Sequence, residues 1–509
     1  MRKFLAVVFC LAFFMTIFAD DNKDRLLTVI FTNDSHGMAW KDKEGAGGLA
    51  AQQTLIDEIR DEVQKKSGNV ILLNAGDITL GDPRSNICEN MPMIEGMNLI
   101  GYDAMTIGNH EFDFGFEAFK RMQEKAKFPF LSANMYKEGG TEPVGKDFIE
   151  IEYDGVKVAV LGLTTMETES ISGQGLKGNL TMTDPIAIAK MQIPALKKKN
   201  DIVIVLSHLG YYDTDKSFDG YYGDNYLAKT VSGIDLIIGG HTQRQLENAV
   251  KINDTYIVQT EGLGKWVGRV DLYMKGKKID RVEYKAIPVN LKDKNGKLIG
   301  NKIKENKAML HMLEGLKCEF PTKPIGKIER DLIGGNEARE KEVELGDIIT
   351  DIMREKTNSD VAFMNSGSIR QGLKKGTVTE KDIYAIFPFH DTVFTAVLTG
   401  AELREVFEFF AEKKGAGEAG FLQVSGVEIS ILKGFPDVKI GGQKLDPKKT
   451  YKVAFNSFIA NGGDGYDMLK NVKSKKDTAY LVASILIDYM KANGTFAKPQ
   501  GDRIKIYKK

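Results

Sequence analysis

The chain has 509 residues, 42% of them apolar, and its 70 basic and 70 acidic side chains leave no net charge. That length exceeds what a single hydrophobic core spans, so two or more domains are expected. The apolar content excludes general disorder, and the charge balance excludes a nucleic-acid polymer or an anionic membrane surface as the main partner.

The first 19 residues read as a secretory signal. Arg2 and Lys3 are basic, Phe4 to Phe18 is almost wholly apolar, and the small residue Ala19 places cleavage behind it. The apolar run is short for a membrane span. Cys10 lies within it, and the preceding Val7-Val8-Phe9 lacks the small residues of a lipid-attachment site. The C-terminus, Ile504 to Lys509, has no apolar tail. A periplasmic or secreted mature chain without a stable membrane anchor is therefore expected. Cys88 and Cys318 remain in it; one pair at that separation makes no disulfide framework, and free buried thiols are expected.

Leu26 to Phe31 reads as a strand, with Asp34 and His36 directly after it, two apart and so on one side of an extended segment. Gly47 to Lys66 reads as an amphipathic helix, and Asn69 to Leu73 as a strand ending in Asn74-Ala-Gly-Asp77. Met91 to Ile100 reads as a helix, and Tyr102 to Ile107 as a strand. Gly108-Asn109-His110-Glu111-Phe112-Asp113 follows, its glycine permitting a tight turn. His110 and Asp113, three apart, can pair so that the carboxylate fixes the ring. Lys157 to Leu163, Asp201 to Leu206, Ile234 to Ile238 and Thr255 to Gln259 read as further strands, and Pro185 to Lys199 as a helix. His208 follows the second of these strands; His241 and Gln243 follow the third. In α/β sheets, sites form beyond the carboxyl ends of strands. Four of the six histidines occupy that place, whereas His311 and His390 do not.

Asn301 to Leu316 reads as a Lys- and Glu-rich helix, and Pro321 and Pro324 then break the chain. This predicts a first domain over 20–300, a linker helix over 301–324 and a second domain over 325–509. In the second, Val343 to Lys356, Ala401 to Ala411 and Thr478 to Lys491 read as helices. Asp360 to Asn365, Val393 to Thr399, Phe421 to Leu432 and Tyr451 to Asn456 read as strands.

Oxygen and imidazole ligands without thiolate suit Mn, Zn, Fe, Co or similar divalent ions. The candidates exceed what one ion needs. Two ions roughly 3.5–4 Å apart and bridged by one carboxylate would use them, with Asp77, from a central strand, as the natural bridge. A His110 oriented by Asp113 would face the phosphoryl group or the leaving oxygen. Hydrolysis of a phosphate ester by in-line attack of metal-bound hydroxide is the expected chemistry.

Thr-Asn-Asp34-Ser-His36-Gly, Asn-Ala-Gly-Asp77, Gly-Asn109-His110-Glu-Phe-Asp113, Ser-His208-Leu-Gly and Gly-Gly-His241-Thr-Gln243, in that order, resemble the 5'-nucleotidase branch of the calcineurin-type metallophosphatases. The likeness spans nearly all of the mature chain. It implies an α/β architecture: an N-terminal four-layer α-β-β-α metallophosphatase sandwich, a linker helix and a smaller α+β substrate-binding domain. It also implies that one metal takes Asp34, His36, Asp77 and Gln243, and the other Asp77, Asn109, His208 and His241. Some relatives have His where Gln243 stands; Gln is the weaker ligand, which points to an exchangeable first ion. Asn74 stands where many relatives carry Asp, outside the ligand pattern.

Asn365-Ser-Gly-Ser-Ile-Arg370 resembles that family's Asn-Gly-Gly-Gly-Ile-Arg loop. Ser366 and Ser368 replace two glycines, so a less permissive backbone is expected there. Phe387-Pro-Phe389 and Phe458-Ile-Ala-Asn-Gly-Gly-Asp464-Gly-Tyr466 also match. The resemblance implies that Phe389 and Phe458 sandwich a base, Asp464 accepts from ribose hydroxyls, Asn365 is retained in the loop, and Arg339 and Arg370 meet the phosphate. A guanidinium fork suits that contact. Phe421-Leu-Gln-Val matches too and reads as a strand. With the site divided between domains, a moving connection near 301–325 is expected, and relatives show a domain rotation.

The expected activity is that of an exported 5'-nucleotidase, extending to UDP-sugars or nucleoside di- and triphosphates. A 2',3'-cyclic nucleotide phosphodiesterase with 3'-nucleotidase activity, or a thiosulfohydrolase, would use the same scaffold. A secreted nucleotide-binding surface protein without turnover is the alternative from another class, and the intact ligand set argues against it.

Overall fold

The computed structural model describes residues 24–168, 180–217, 220–316, 323–387, 391–413 and 420–507. The segment expected to be a signal, with Cys10, residues 317–322 of the expected linker, with Cys318, and Phe389 and His390 lie outside the described residues.

Two six-stranded sheets form the first half. In one the order is Lys278–Pro288, Trp266–Lys275, Asp24–Thr32, Asn69–Asn74, Ala104–Thr106, Phe130–Leu131; in the other, Val250–Ile252, Thr255–Val258, Leu236–Ile238, Ile202–His208, Val156–Thr164, Phe148–Tyr153. The central strands are parallel, as is the edge strand Phe130–Leu131, whereas Trp266–Lys275, Lys278–Pro288, Val250–Ile252 and Phe148–Tyr153 are joined antiparallel. Strands buried on both faces read as near-continuous apolar runs, and alternation decides which core each residue enters. Leu27, Val29, Phe31, Ile71 and Leu73 meet Val158, Val160, Ile204, Leu206 and Ile238 between the sheets. Ile30, Leu72 and Met105 face the other way, under helices Leu49–Lys65, Met91–Ile100 and Phe116–Lys125. Leu161, Val203 and Ile237 lie under helices Pro185–Lys199 and Asp224–Thr230. The result is a four-layer α-β-β-α sandwich.

Helix forms only over Lys307–Gly315 rather than from 301, because the Asn306 side chain caps it by accepting from the backbone N–H of Ala308 and Met309. It buries Met309 and Leu313 in the first core, against helices Leu49–Lys65 and Met91–Ile100. The second half holds a five-stranded sheet ordered Leu422–Ser425, Val361–Asn365, Thr450–Asn456, Thr392–Thr399, Lys476–Leu481, with a four-stranded sheet beside it.

Three expectations are corrected. Phe421 to Leu432 is two strands in two sheets, broken at Gly426, whose φ is 75°. Thr478 to Leu481 belongs to a strand, and helix begins at Val482. Cys88 is disulfide-bonded, not free. Among the described residues no helix is long and apolar enough to cross a membrane.

Candidate metal centre and substrate cleft

The sheet register aligns the loops that carry the candidate ligands. Thr32 pairs with Asn74 and Thr164 with His208, so the chain leaves neighbouring strands at the same level. It turns there abruptly: Asp34, His36, Asp77, His241 and Gln243 have φ of 48, 44, 55, 70 and 48°. Such left-handed non-glycine residues cost of order 1–3 kcal/mol each and gather at functional sites. Gly108 acts by close approach rather than by a special turn, since a Cβ there would meet Asp77 Oδ1 at 2.2 Å.

The seven candidate ligands converge. Carboxylate or imidazole atoms of Asp34, His36 and Asp77 lie within 4.8 Å of one another, as do those of Asp77, His208 and His241, so Asp77 is common to both groups. Asn109 Oδ1 is 2.9 Å from His241 Nδ1 and 3.2 Å from His208 Nε2. Gln243 donates its amide N–H to His36 Nε2 at 3.0 Å, so its oxygen becomes a ligand only if the amide turns over. All but the half-buried Gln243 are buried.

The outer nitrogens decide what the cluster can hold. His36 Nδ1 faces the Thr79 carbonyl at 3.1 Å, His208 Nδ1 the Ala75 carbonyl at 2.6 Å, and His241 Nε2 the Glu167 carboxylate at 2.6 Å. Each of these nitrogens bears the proton, because its partner only accepts. Each imidazole therefore turns its other nitrogen inward, toward two carboxylates and an amide oxygen, where it can ligate a cation once it carries no proton. Without a cation such a convergence of acceptors is costly. Burial, with the Asp77 charge adding to it, pushes the Asp34 carboxyl up to about 6. Burial opposes the charge on His208, yet Asp77 at 3.0 Å raises it to about 10. The donor set, oxygen and neutral imidazole around a shared carboxylate, fits divalent ions.

His110 Nδ1 is 2.5 Å from Asp113 Oδ2. Burial works against its charge, but Asp113 and Asp77 raise it to about 9. Two carboxylates escaped sequence reasoning. Buried Glu111 accepts from the backbone N–H of Asp77, Ile78 and Gly108 at 3.0, 2.8 and 2.6 Å, fastening the two ligand loops together. Its place inside Gly108-to-Asp113 was the only signal. Glu167, on His241, also stands just past a strand end, the signature that marked the candidate ligands.

Between the two halves lies a cleft of about 1200 Å³, with Asn365, Arg370, Phe458 and Asp464 on one wall and Trp40 and Arg84 on the other. Asn365 Nδ2 donates to Asp464 Oδ2 at 2.8 Å, and Asn365 Oδ1 accepts from Ser368 and Asn456. Phe458 is 44% exposed, unusual for an aromatic ring and open to a stacking partner. Neither Ser366 nor Ser368 has positive φ, so the expected loss of permissiveness does not arise; their hydroxyls join the local hydrogen bonding instead. Arg339 stands on the neighbouring turn Gly335–Arg339, outside the lining, and its buried Nε has no hydrogen-bond partner among the described residues. None of the seven candidate metal ligands lines this cleft.

Residues 27–245 match the family described as calcineurin-like phosphoesterase, and residues 324–471 that described as 5'-nucleotidase, C-terminal domain. A 5'-nucleotidase of Vibrio vulnificus is 35% identical over 504 residues, 92% of this chain and 90% of that one. Protein UshA of Escherichia coli is 34% identical over 521 residues, covering 96% and 94%. The solved NAD nucleotidase of Haemophilus influenzae shares the fold, with a TM-score of 0.72 at 21% identity over 95% of this chain and 99% of that one. A 5'-nucleotidase precursor from Thermus thermophilus gives 0.52 at 27% identity, over 95% and 100%.

Proposed function

The chain belongs to the 5'-nucleotidase family of metallophosphatases, and from that premise we propose that it is an exported, metal-dependent hydrolase of nucleoside 5'-monophosphates that also accepts UDP-sugars or nucleoside di- and triphosphates. The observation that carries the reading is the set of three imidazoles pinned from outside, their inner nitrogens turned toward Asp34, Asp77 and Asn109. Asp34, His36, Asp77 and Gln243 would hold one divalent ion, and Asp77, Asn109, His208 and His241 the other. Such ions activate water and neutralise phosphoryl charge when bound.

The protein's own groups do the rest. Asp113 holds the His110 proton on Nδ1 and fixes the ring, leaving Nε2 for the phosphoryl or leaving oxygen. Phe458 stacks on the base, with Phe389 on its other face. Asn365 orients Asp464 for the ribose hydroxyls, and Arg370, with Arg339, takes the phosphate. Because the cleft and the ligands do not share a lining, the domains must reorient between loading and hydrolysis. The segment 1–19 supports export.

The test is a panel of AMP, UDP-glucose, 2',3'-cyclic AMP and an aryl phosphate, each with and without added Mn or Co, on the purified, signal-cleaved protein. The expected result is metal-dependent release of phosphate from AMP. Preference for the cyclic nucleotide would move the assignment to a phosphodiesterase, and a metal-loaded protein inert on every substrate would overturn the enzyme reading.

A further inference from the structure

Glu167 lies three residues beyond the strand Val156–Thr164 and its side chain is 6% exposed. One oxygen is 2.6 Å from His241 Nε2. The other is 2.6 Å from the ammonium of Lys476, which heads the edge strand Lys476–Leu481 of the second domain. Four residues along that strand, the Tyr480 ring meets His110 edge-on at 5.4 Å. The strand reaches both groups because Ala479, with a φ of 57°, and a register shift against Thr392–Thr399 bend it there.

A buried carboxylate is costly unless paired, and removing one partner leaves the cost standing. Here the partners come from different domains. The one from the first domain is the far nitrogen of an imidazole whose near nitrogen faces the ligand cluster. A carboxylate at that position fixes the ring's tautomer and orientation and raises its basicity as a ligand.

We propose that Glu167 is a positioning residue for His241, and that Lys476 makes the same carboxylate a tie between the domains. The proposal rests on the metal-holding role assigned to His241. Its consequence is an ordered pair of dependences. His241 needs Glu167 whatever the second domain does, whereas the docked arrangement needs both Glu167 and Lys476.

The full chain loaded with Co tests both parts, with no nucleotide present. A chelator titration followed by the cobalt absorption spectrum should show Glu167→Gln losing one of two ions at roughly 10–100-fold lower chelator than wild type. Glu167→Asp, which keeps the charge, should fall between, and Lys476→Met should match wild type. Spin labels at the exposed positions 198 and 448, introduced as K198C and K448C, should give one dominant interdomain distance in wild type and a broader distribution in both Glu167→Gln and Lys476→Met. Glu167→Gln retaining both ions like wild type would overturn the positioning role. An unchanged distance distribution in Lys476→Met would overturn the tie. A wild-type protein that takes up no cobalt would instead overturn the metal-centre reading beneath the proposal.

Discussion

Replacing Glu111 should destabilise the first domain severely. One oxygen accepts from Ile78 N–H, the other from Asp77 and Gly108 N–H, in a fully buried setting. Glu111→Ala strands three backbone donors away from water at about 1–3 kcal/mol each, together on the order of 5 kcal/mol. Glu111→Gln can keep its oxygen on the Asp77 and Gly108 side and sets an amide nitrogen against Ile78 N–H, a loss of about 2 kcal/mol. At roughly 2–4 °C per kcal/mol for a domain of this size, the Ala variant should melt some 10–20 °C lower and the Gln variant roughly 4–8 °C lower. Intrinsic fluorescence reports the right transition, because both tryptophans, Trp40 and Trp266, lie in the first domain. An Ala variant melting within a degree or two of wild type, or a Gln variant worse than Ala, would refute the account of how the ligand loops are joined.

Phe458→Ala should leave stability nearly unchanged, since the ring is half exposed, and should raise KM for AMP by about 5–150-fold, as expected for losing a base stack of ~1–3 kcal/mol. An aryl phosphate should be spared; equal loss on both substrates would argue against stacking. Asp77→Asn should remove nearly all turnover and leave at most one ion per chain by metal analysis. His110→Asn should lower kcat by on the order of 10²-fold or more with both ions retained, and metal loss in this variant would contradict its role as a proton-holding group. A cross-link that locks the domains as they stand should abolish AMP hydrolysis, and full activity in the locked protein would refute the need for reorientation.

The strand ends carried most of what was legible beforehand. An apolar run that stops at a carboxylate or imidazole is a one-dimensional signal, and Asp34, His36, Asp77, His208 and His241 all bear it. Edge elements were missed for the opposite reason. The strand Lys278–Pro288 is half-exposed along most of its length, so its apolar positions do not form the continuous run of an inner strand. Glu167 bears the same strand-end signal, but its pairing with His241 and Lys476, 74 and 309 residues away, is not legible in the sequence. The Thr478-to-Leu481 segment misled because its apolar pattern runs unbroken into the helix Val482–Asn493, and only pairing with Thr392–Thr399 holds it extended. The disulfide at Cys88 could not be argued from spacing, since loop length alone does not say which thiols meet.

The proposed chemistry requires residues from five separate loops to close on two cations through one shared carboxylate. Anomalous diffraction at the Mn edge, from crystals grown with Mn, tests it most directly. Two peaks roughly 3.5–4 Å apart are expected, with Asp77 touching both and Asn109, His208 and His241 around the second. No peak among these side chains, or metal bound elsewhere while AMP is still hydrolysed, would contradict it.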